Sequence, residues 1–462
     1  MREERRIEMG RANKYEIDMC NGPILKKMLL FALPLMLSSI LQLLFNAADI
    51  VVVGRFAGDD SLAAVGSTSS LINLLTNLFI GLSVGANVLV ARYFGAKKEE
   101  ELRDTVHTAM TLSLIGGVAL TVIGIVGAPI ILTWMQSPPE VYSKAVIYLR
   151  VYFAGITATM IYNFGSSILR AIGDTKRPLY YLTIAGVVNV VLNLVFVIVL
   201  HWDVFGVGLA TVISQVISAA LVLRCLLKEQ GGIRLDLKRL GVNKGKLLQI
   251  MQIGLPAGFQ GMLFSLSNVV IQSSVNSFGA TIVAGNSAAQ NIEGFVYVGM
   301  NAFYQAAISF MGQNVGAGKY SRVNKILLSA QACVITIGFA LSMVVCVFAE
   351  PLLSLYTDSP VVVEAGTVRL SIICTTYFLC GMMDVMVGAL RGLGYSIAPM
   401  IVSLLGACAF RLLWIATVFQ IDRFHTIETV YTSYPISWII TFLAHLVTFI
   451  IVRNRLKKRW GE

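Results

Sequence analysis

Charge and histidine are what this chain is short of. Only 13% of its residues are Asp, Glu, Lys or Arg, and its four histidines stand apart at 107, 201, 425 and 445. Neither HExxH nor a GxS nucleophile with a His/Asp partner occurs, which argues against an enzyme. The seven cysteines (Cys20, Cys225, Cys333, Cys346, Cys374, Cys380, Cys408) show no CxxC spacing and mostly fall in apolar runs. They read as small packing residues rather than disulfides or metal ligands, so neither a structural metal nor an organic cofactor is expected. The first 27 residues are polar and of mixed charge, with no pattern of a cleavable signal peptide, and the first apolar run itself serves as the insertion signal.

Apolar residues take the place of charge, at 56% of the chain and a mean hydropathy of +0.76. A chain of 462 residues with that composition cannot hide its apolar side chains in one core and still present a polar surface. It is read as an all-α integral membrane protein. A hydrocarbon core of about 30 Å asks for about 20 apolar residues per helix. Twelve runs qualify, at 28–53, 63–90, 108–135, 145–169, 179–202, 205–227, 248–273, 283–311, 326–349, 361–390, 397–420 and 434–452.

The 36 Lys and Arg are unevenly shared among the connections. Thirty, counting Arg224 at the end of its run, fall on the side of the termini and the middle loop, while Arg55, Lys144 and Arg423 fall on the other and Arg150, Arg369 and Arg411 lie inside runs. The positive-inside rule then places both termini in the cytoplasm of a multi-pass protein of the bacterial cytoplasmic membrane. The net charge of +11 and the tail RNRLKKRW need no nucleic-acid partner; they anchor topology.

An internal repeat follows the same frame. Pro34 of ALPLM recurs as Pro256 of GLPAG, FGAKK (94–98) recurs as VGAGK (315–319), and LRAIGDTKRP (169–178) recurs as LRGLGYSIAP (390–399), at offsets of 221 or 222. Two six-helix halves are expected, 28–228 (spans one to six) and 247–453 (spans seven to twelve), with a cytoplasmic segment 1–27, a linker 229–246 and a basic tail 454–462. An even number of spans per half makes the repeats parallel, related by an axis along the membrane normal, an arrangement typical of secondary transporters. The repeat also explains GQNVGAGKYS (312–321) without a nucleotide, since it lacks the GxxxxGK[ST] spacing and has the cytoplasmic turn YFGAKKEE as its twin.

The motifs DIVVVGRFAG, the paired LRAIGDTKRP and LRGLGYSIAP turns, NVVLNLVFVIVL and GQNVGAGK together resemble the multidrug and toxic compound extrusion family of secondary transporters, over about residues 24 to 450. The resemblance implies two pseudo-symmetric lobes in a V shape. It also implies export of bulky compounds, often lipophilic cations, by antiport against H+ or Na+; a monomer with membrane lipids as its other partner is expected. Lipid-linked oligosaccharide flippases and dedicated metabolite exporters of the same superfamily are the alternatives. A flippase would call for a more basic cavity than three intramembrane arginines supply.

One charged residue stands out in the first run. Asp49 costs on the order of 3 kcal/mol at membrane depth, so it should face protein or a water-filled cavity. Ser38, Gln42, Asn46 and Asp49 step by 4, 4 and 3 and share one helix face. Asn189 and Asn193 lie one turn apart in span five, and Thr211 lies in span six. By the resemblance, Asp49, Asn189, Asn193 and Thr211 match the amino-lobe ion-coupling site, with Gln42 and Asn46 in the adjoining cavity. Where many relatives carry a second Asp, this chain reads NVVLN, so Asn193 brings an amide and no charge. One carboxylate with amide and hydroxyl oxygens can hold Na+, and Asp49 alone can take a proton; both ions stand open.

In the second half Gln290, Glu293, Tyr297, Asn301 and Tyr304 step by 3, 4, 4 and 3, a stripe that cannot face lipid cheaply. Gln260 and Asp384 join it as candidate carboxyl-lobe cavity residues. The acid that some relatives carry in span seven is missing here, and Gln260 is the nearest polar group. For Asp384 and Glu293, a role in coupling or substrate contact and a structural role are both open. His445 reads as a packing residue.

Overall fold

The computed structural model describes residues 15–135 and 138–460, so parts of the amino-terminal segment and of the basic tail lie outside the described residues. Each apolar run has its helix. α1 is Ile24–Phe56, α2 Asp59–Gly95 and α3 Glu99–Trp134. α4 is broken into Pro139–Ala154 and Ile156–Ala171 with a bend of 45°. α5, Lys176–Asn193, runs on into the π-helical Leu194–Val199, and α6 is Asp203–Lys228. The second half repeats the plan with α7 (Lys244–Asn276), α8 (Ala280–Gly316), α9 (Val323–Val347) and a broken α10 (Pro360–Ile373 and Phe378–Gly392, bent by 46°). α11 joins Ile397–Ser403 and Phe410–Ala416 through the π-helical Leu404–Ala409, and α12 is Ile427–Trp460.

Among the described residues nine helices are long and apolar enough to cross a membrane, and counting each bent pair as one span makes eleven. The twelfth is α8, whose Asn286, Gln290, Glu293 and Asn301 dilute an otherwise apolar helix of 37 residues.

The repeat is written in the backbone as well. Left-handed residues recur 221 positions apart: Gly58 (φ 88°) with Gly279 (93°), Lys97 (54°) with Gly318 (70°), and Gly173 (95°) with Gly394 (95°). The bends of α4 and α10 fall at equivalent places, around Gly155 and Thr376. A turn conformation that ordinary side chains resist is unlikely to be kept in register by accident.

The chain divides into two compact units that are not simple halves. Unit 1 joins Met1–Gly66, Leu89–Lys246 and Gly312–Lys319; unit 2 joins Ser67–Val88, Leu247–Met311 and Tyr320–Glu462. The middle of α2 falls in unit 2 because two small-residue motifs meet there, Gly81-x-x-x-Gly85 and Gly254-x-x-x-Gly258. A Cβ on Gly81 would lie 2.2 Å from the Gly258 nitrogen, and one on Gly85 would lie 2.3 Å from the Ile250 carbonyl oxygen. Backbones touch where side chains are absent, the packing that apolar solvent favours. The end of α8 falls in unit 1 for the same reason, with Gly316 against the Arg92 carbonyl and Gly95 against that of Gln313.

In unit 1 the linker is a docked element rather than a free tether. Asp236 donates its backbone N–H to His107 Nε2 at 3.0 Å, Asn243 N–H goes to the Thr108 hydroxyl at 3.1 Å, Gly232 N–H reaches the Glu99 carboxylate, and Lys246 pairs with Glu101. Lys144, expected on the non-cytoplasmic side, is paired with Asp203 at 2.9 Å and donates to Ser61 Oγ at 2.7 Å.

The strap before α1 is docked too. Met19 is fully buried, its carbonyl accepts from Asn314 Nδ2 at 3.0 Å, and the Cys20 carbonyl accepts from Lys319 Nζ at 3.0 Å. Burial, with help from Glu229 and Asp174 and against Arg177, pushes the Glu16 carboxyl from 4.5 up to about 7. Below the ordinary carboxylate range Glu16 is neutral whether docked or free. As pH rises towards 7 the free strap loses its proton more readily than the docked one, so docking is strongest in acid and weakens through this window. Proteolysis of the strap should therefore be faster above neutrality than in mild acid, and Glu16→Gln should remove most of that difference; a difference that survives the substitution would mean that another group controls it.

Candidate functional site

Unit 1 carries the first constellation. α1 is apolar enough to bring one carboxylate into the membrane, and α5 presents Asn189 and Asn193 one turn apart. Asn193 is fully buried and donates its Nδ2 to the Asp49 carboxylate and, at 3.3 Å, to Asn189 Oδ1. Its own Oδ1 is buried with no partner among the described residues. Asp49, Asn189 and Asn193 are thus brought together. Thr211 is engaged in its own helix, its hydroxyl donating to the Val207 carbonyl at 3.1 Å. Ser38 likewise bonds back to Pro34, while Gln42 and Asn46 are exposed on α1 in the turns before Asp49. An exposed amide pair at membrane depth implies water on that face. Tyr148 of α4, which no sequence pattern marks, is within electrostatic reach of Asp49.

Unit 2 carries the second. A cavity of about 800 Å³ is lined by all six of Gln260, Gln290, Glu293, Tyr297, Asn301 and Asp384. The helical stripe on α8 turns inward because burying its polar groups among neighbouring helices spares them contact with lipid. Glu293 accepts two bonds from Arg369, Nε to Oε1 and Nη2 to Oε2, both 2.8 Å, and both residues are buried. Arg369 Nη1 donates to Asn286 Oδ1 at 2.8 Å, and its guanidinium lies 5.2 Å from the Tyr431 ring centre. Arg369 is therefore an internal counter-ion and does not snorkel to an interface. Arg150 is exposed, its Nε donating to the Ile125 carbonyl at 3.2 Å.

Arg391, which the sequence suggests is the single basic residue of the loop before α11, is instead in the last turn of α10. It is 4% exposed and lines the cavity, with Nη1 on the Tyr304 hydroxyl at 2.5 Å and Nη2 on Gln260 Oε1 at 2.8 Å. Its repeat twin Arg170, likewise one residue past its apolar run, also ends a helix. Arg411 donates Nε to Ser437 Oγ at 2.8 Å and sits 4.2 Å from the Tyr434 ring centre. Aromatic rings continue the wall, Tyr297 stacking with Tyr377 at 6.5 Å and Tyr377 with Trp438 at 5.4 Å. Tyr297 and Asp384 face each other across this wall, within electrostatic reach. His445 is buried in packing, its Nε2 3.0 Å from Ser403 Oγ. Among the described residues no three His, Cys, Asp or Glu side chains group as metal ligands.

The MatE family model matches residues 34–195 and 256–415, one match in each repeat. The chain is 27% identical over 427 residues to the probable multidrug resistance protein YoeA of Bacillus subtilis, covering 90% of this chain and 92% of that one. Among solved structures, it superposes with a TM-score of 0.88 at 23% identity on a transporter of the MOP superfamily from Pyrococcus furiosus, covering 98% of this chain and all of that one. That structure is described as having a binding pocket of reverse polarity that suggests a different function. An outward-facing multidrug resistance MATE family transporter gives the same score and identity over 97% of this chain and 99% of that one.

Proposed function

The chain belongs to the MatE family, and on that premise we propose that it is a secondary active exporter of bulky amphipathic compounds driven by H+ taken up at Asp49. The observation that carries the coupling site is Asp49 itself, a lone carboxylate in α1 met by the amide of Asn193. A secondary transporter needs a group that binds the driving ion on one side and loses it on the other. Asp49 is the acid of unit 1 placed to do so in the membrane, with exposed Gln42 and Asn46 beside it to admit water.

The proton is favoured over Na+ because Asn193 turns a donor towards the carboxylate. A Na+ shell wants several oxygens. The unpaired Asn193 Oδ1 is the feature that would favour Na+ instead, reached by turning the amide over. Proteoliposomes loaded with dye separate the two. Efflux that follows an imposed pH gradient in sodium-free buffer is expected; efflux that needs Na+ and ignores the pH gradient would transfer the role to sodium.

The cargo site under this reading is the unit 2 cavity, whose size suits a drug-sized molecule and whose rings suit flat ones. For a lipophilic cation, Asp384 is the lining acid not committed to Arg369. Ethidium tolerance in a drug-sensitive host measures that case. The orientation proposed is both termini in the cytoplasm, in accord with the thirty to three division of basic residues.

A further inference from the structure

Charge balance inside the unit 2 cavity goes further than its size. Of its two acids, Glu293 is fully engaged by Arg369 through two bonds of 2.8 Å. Asp384 remains, within electrostatic reach of Tyr297 and Arg391. Against it stand two guanidiniums, Arg391 and Arg411, each 4% exposed, and among the described residues neither is ion-paired with a carboxylate. Their hydrogen-bond acceptors are neutral: the Tyr304 hydroxyl and Gln260 Oε1 for one, the Ser437 hydroxyl for the other. Arg391 Nε is buried with no partner among the described residues. Two buried guanidiniums against one uncommitted acid leave an excess positive charge and an unmade donor, and the cost of both falls when an anion arrives. Arg is also the side chain whose planar fork fits carboxylate, sulfonate and phosphate. Beside it, Tyr434 and Trp438 hold Arg411 at 4.2 and 5.8 Å, and Trp438 stacks on Tyr377.

We propose that this cavity binds organic anions carrying a flat aromatic ring, the anionic group met by Arg391 and Arg411 and the ring lying against the Tyr377–Trp438 wall. The identification of such an anion as exported cargo rests on the transporter reading above; its binding does not. Fluorescein, a dianion in mildly alkaline buffer, and rhodamine 123, a cation, share one tricyclic frame and serve as probes. Fluorescence anisotropy on the purified full chain, with no ion gradient, reads their affinities. Fluorescein should bind at least about ten-fold more tightly, the effect of one charge-assisted contact. Arg391→Gln and Arg411→Gln should each weaken it by about that factor and leave rhodamine 123 no weaker. Should either variant fail to fold, Asp384→Asn carries the test, since losing the opposing charge should tighten fluorescein; no change there would overturn the proposal. So would rhodamine 123 binding the unchanged chain as tightly as fluorescein, or fluorescein indifferent to both arginines. Because binding is read with no ion gradient, a failure of ion coupling is read separately from a failure of anion recognition.

Discussion

Asp49→Asn is expected to reach the membrane at the parent's level and to lose ion-driven export almost entirely. Removing the charge lowers the cost of inserting α1, by as much as the roughly 3 kcal/mol that a central Asp carries, so expression gives no reason for a loss. Coupling does. One charge moved through 100 mV is worth about 2.3 kcal/mol, enough for a roughly fifty-fold substrate gradient per ion, and an amide cannot carry it. Asn193→Ala should impair coupling less, because it removes the amide that Asp49 accepts from and no charge. Asn193→Asp should shift the pH dependence of export by adding a second acid. Efflux normalised to protein in the membrane is the readout. If Asp49 is only a structural hydrogen-bond acceptor the pattern reverses, with poor accumulation and transport intact in what survives.

The second large effect belongs to the Arg369–Glu293 pair. Arg369→Met should cost about 3–5 kcal/mol, because it strands a buried carboxylate, whereas replacing both partners with apolar residues should recover much of the loss. The asymmetry comes from desolvation: an unpaired buried charge is worse than no charge. Thermal unfolding of the purified chain should show the single variant melting well below the parent and Arg369→Met/Glu293→Leu lying between them. A single variant as stable as the parent would mean that water already reaches Glu293.

Much of this architecture is legible in the amino-acid order alone. Apolar runs locate eleven of the helices, since length and solvent leave few other readings of such a run. Even α8, too polar to pass on apolar character, is marked by its stripe from Gln290 to Tyr304. The stripe's periodicity also gathers residues that prove to share one cavity, because a polar face in a membrane has few places to go. Pairing is not legible. Arg369 and Glu293 are 76 positions apart, and nothing in either helix names its partner. Arg391 falls one residue past the run 361–390, yet the helix continues through it, since of the glycines that follow only Gly394 is left-handed and Gly392 is helical. Nor is the bond of the Thr211 hydroxyl to its own helix legible, a contact open to any membrane threonine. The passage of α2 from one compact unit to the other is likewise hidden, since Gly81 and Gly85 read as ordinary small residues until their partners Gly254 and Gly258 are opposite them.

The central claim, that Asp49 exchanges the driving proton against substrate, is tested most directly by following vesicle pH while substrate alone supplies the force. Proteoliposomes loaded with substrate and diluted into substrate-free buffer, with no imposed ion gradient, should acidify inside as substrate leaves, and vesicles bearing Asp49→Asn should not. Equal acidification by the Asp49→Asn chain would contradict the claim, whatever its rate of export.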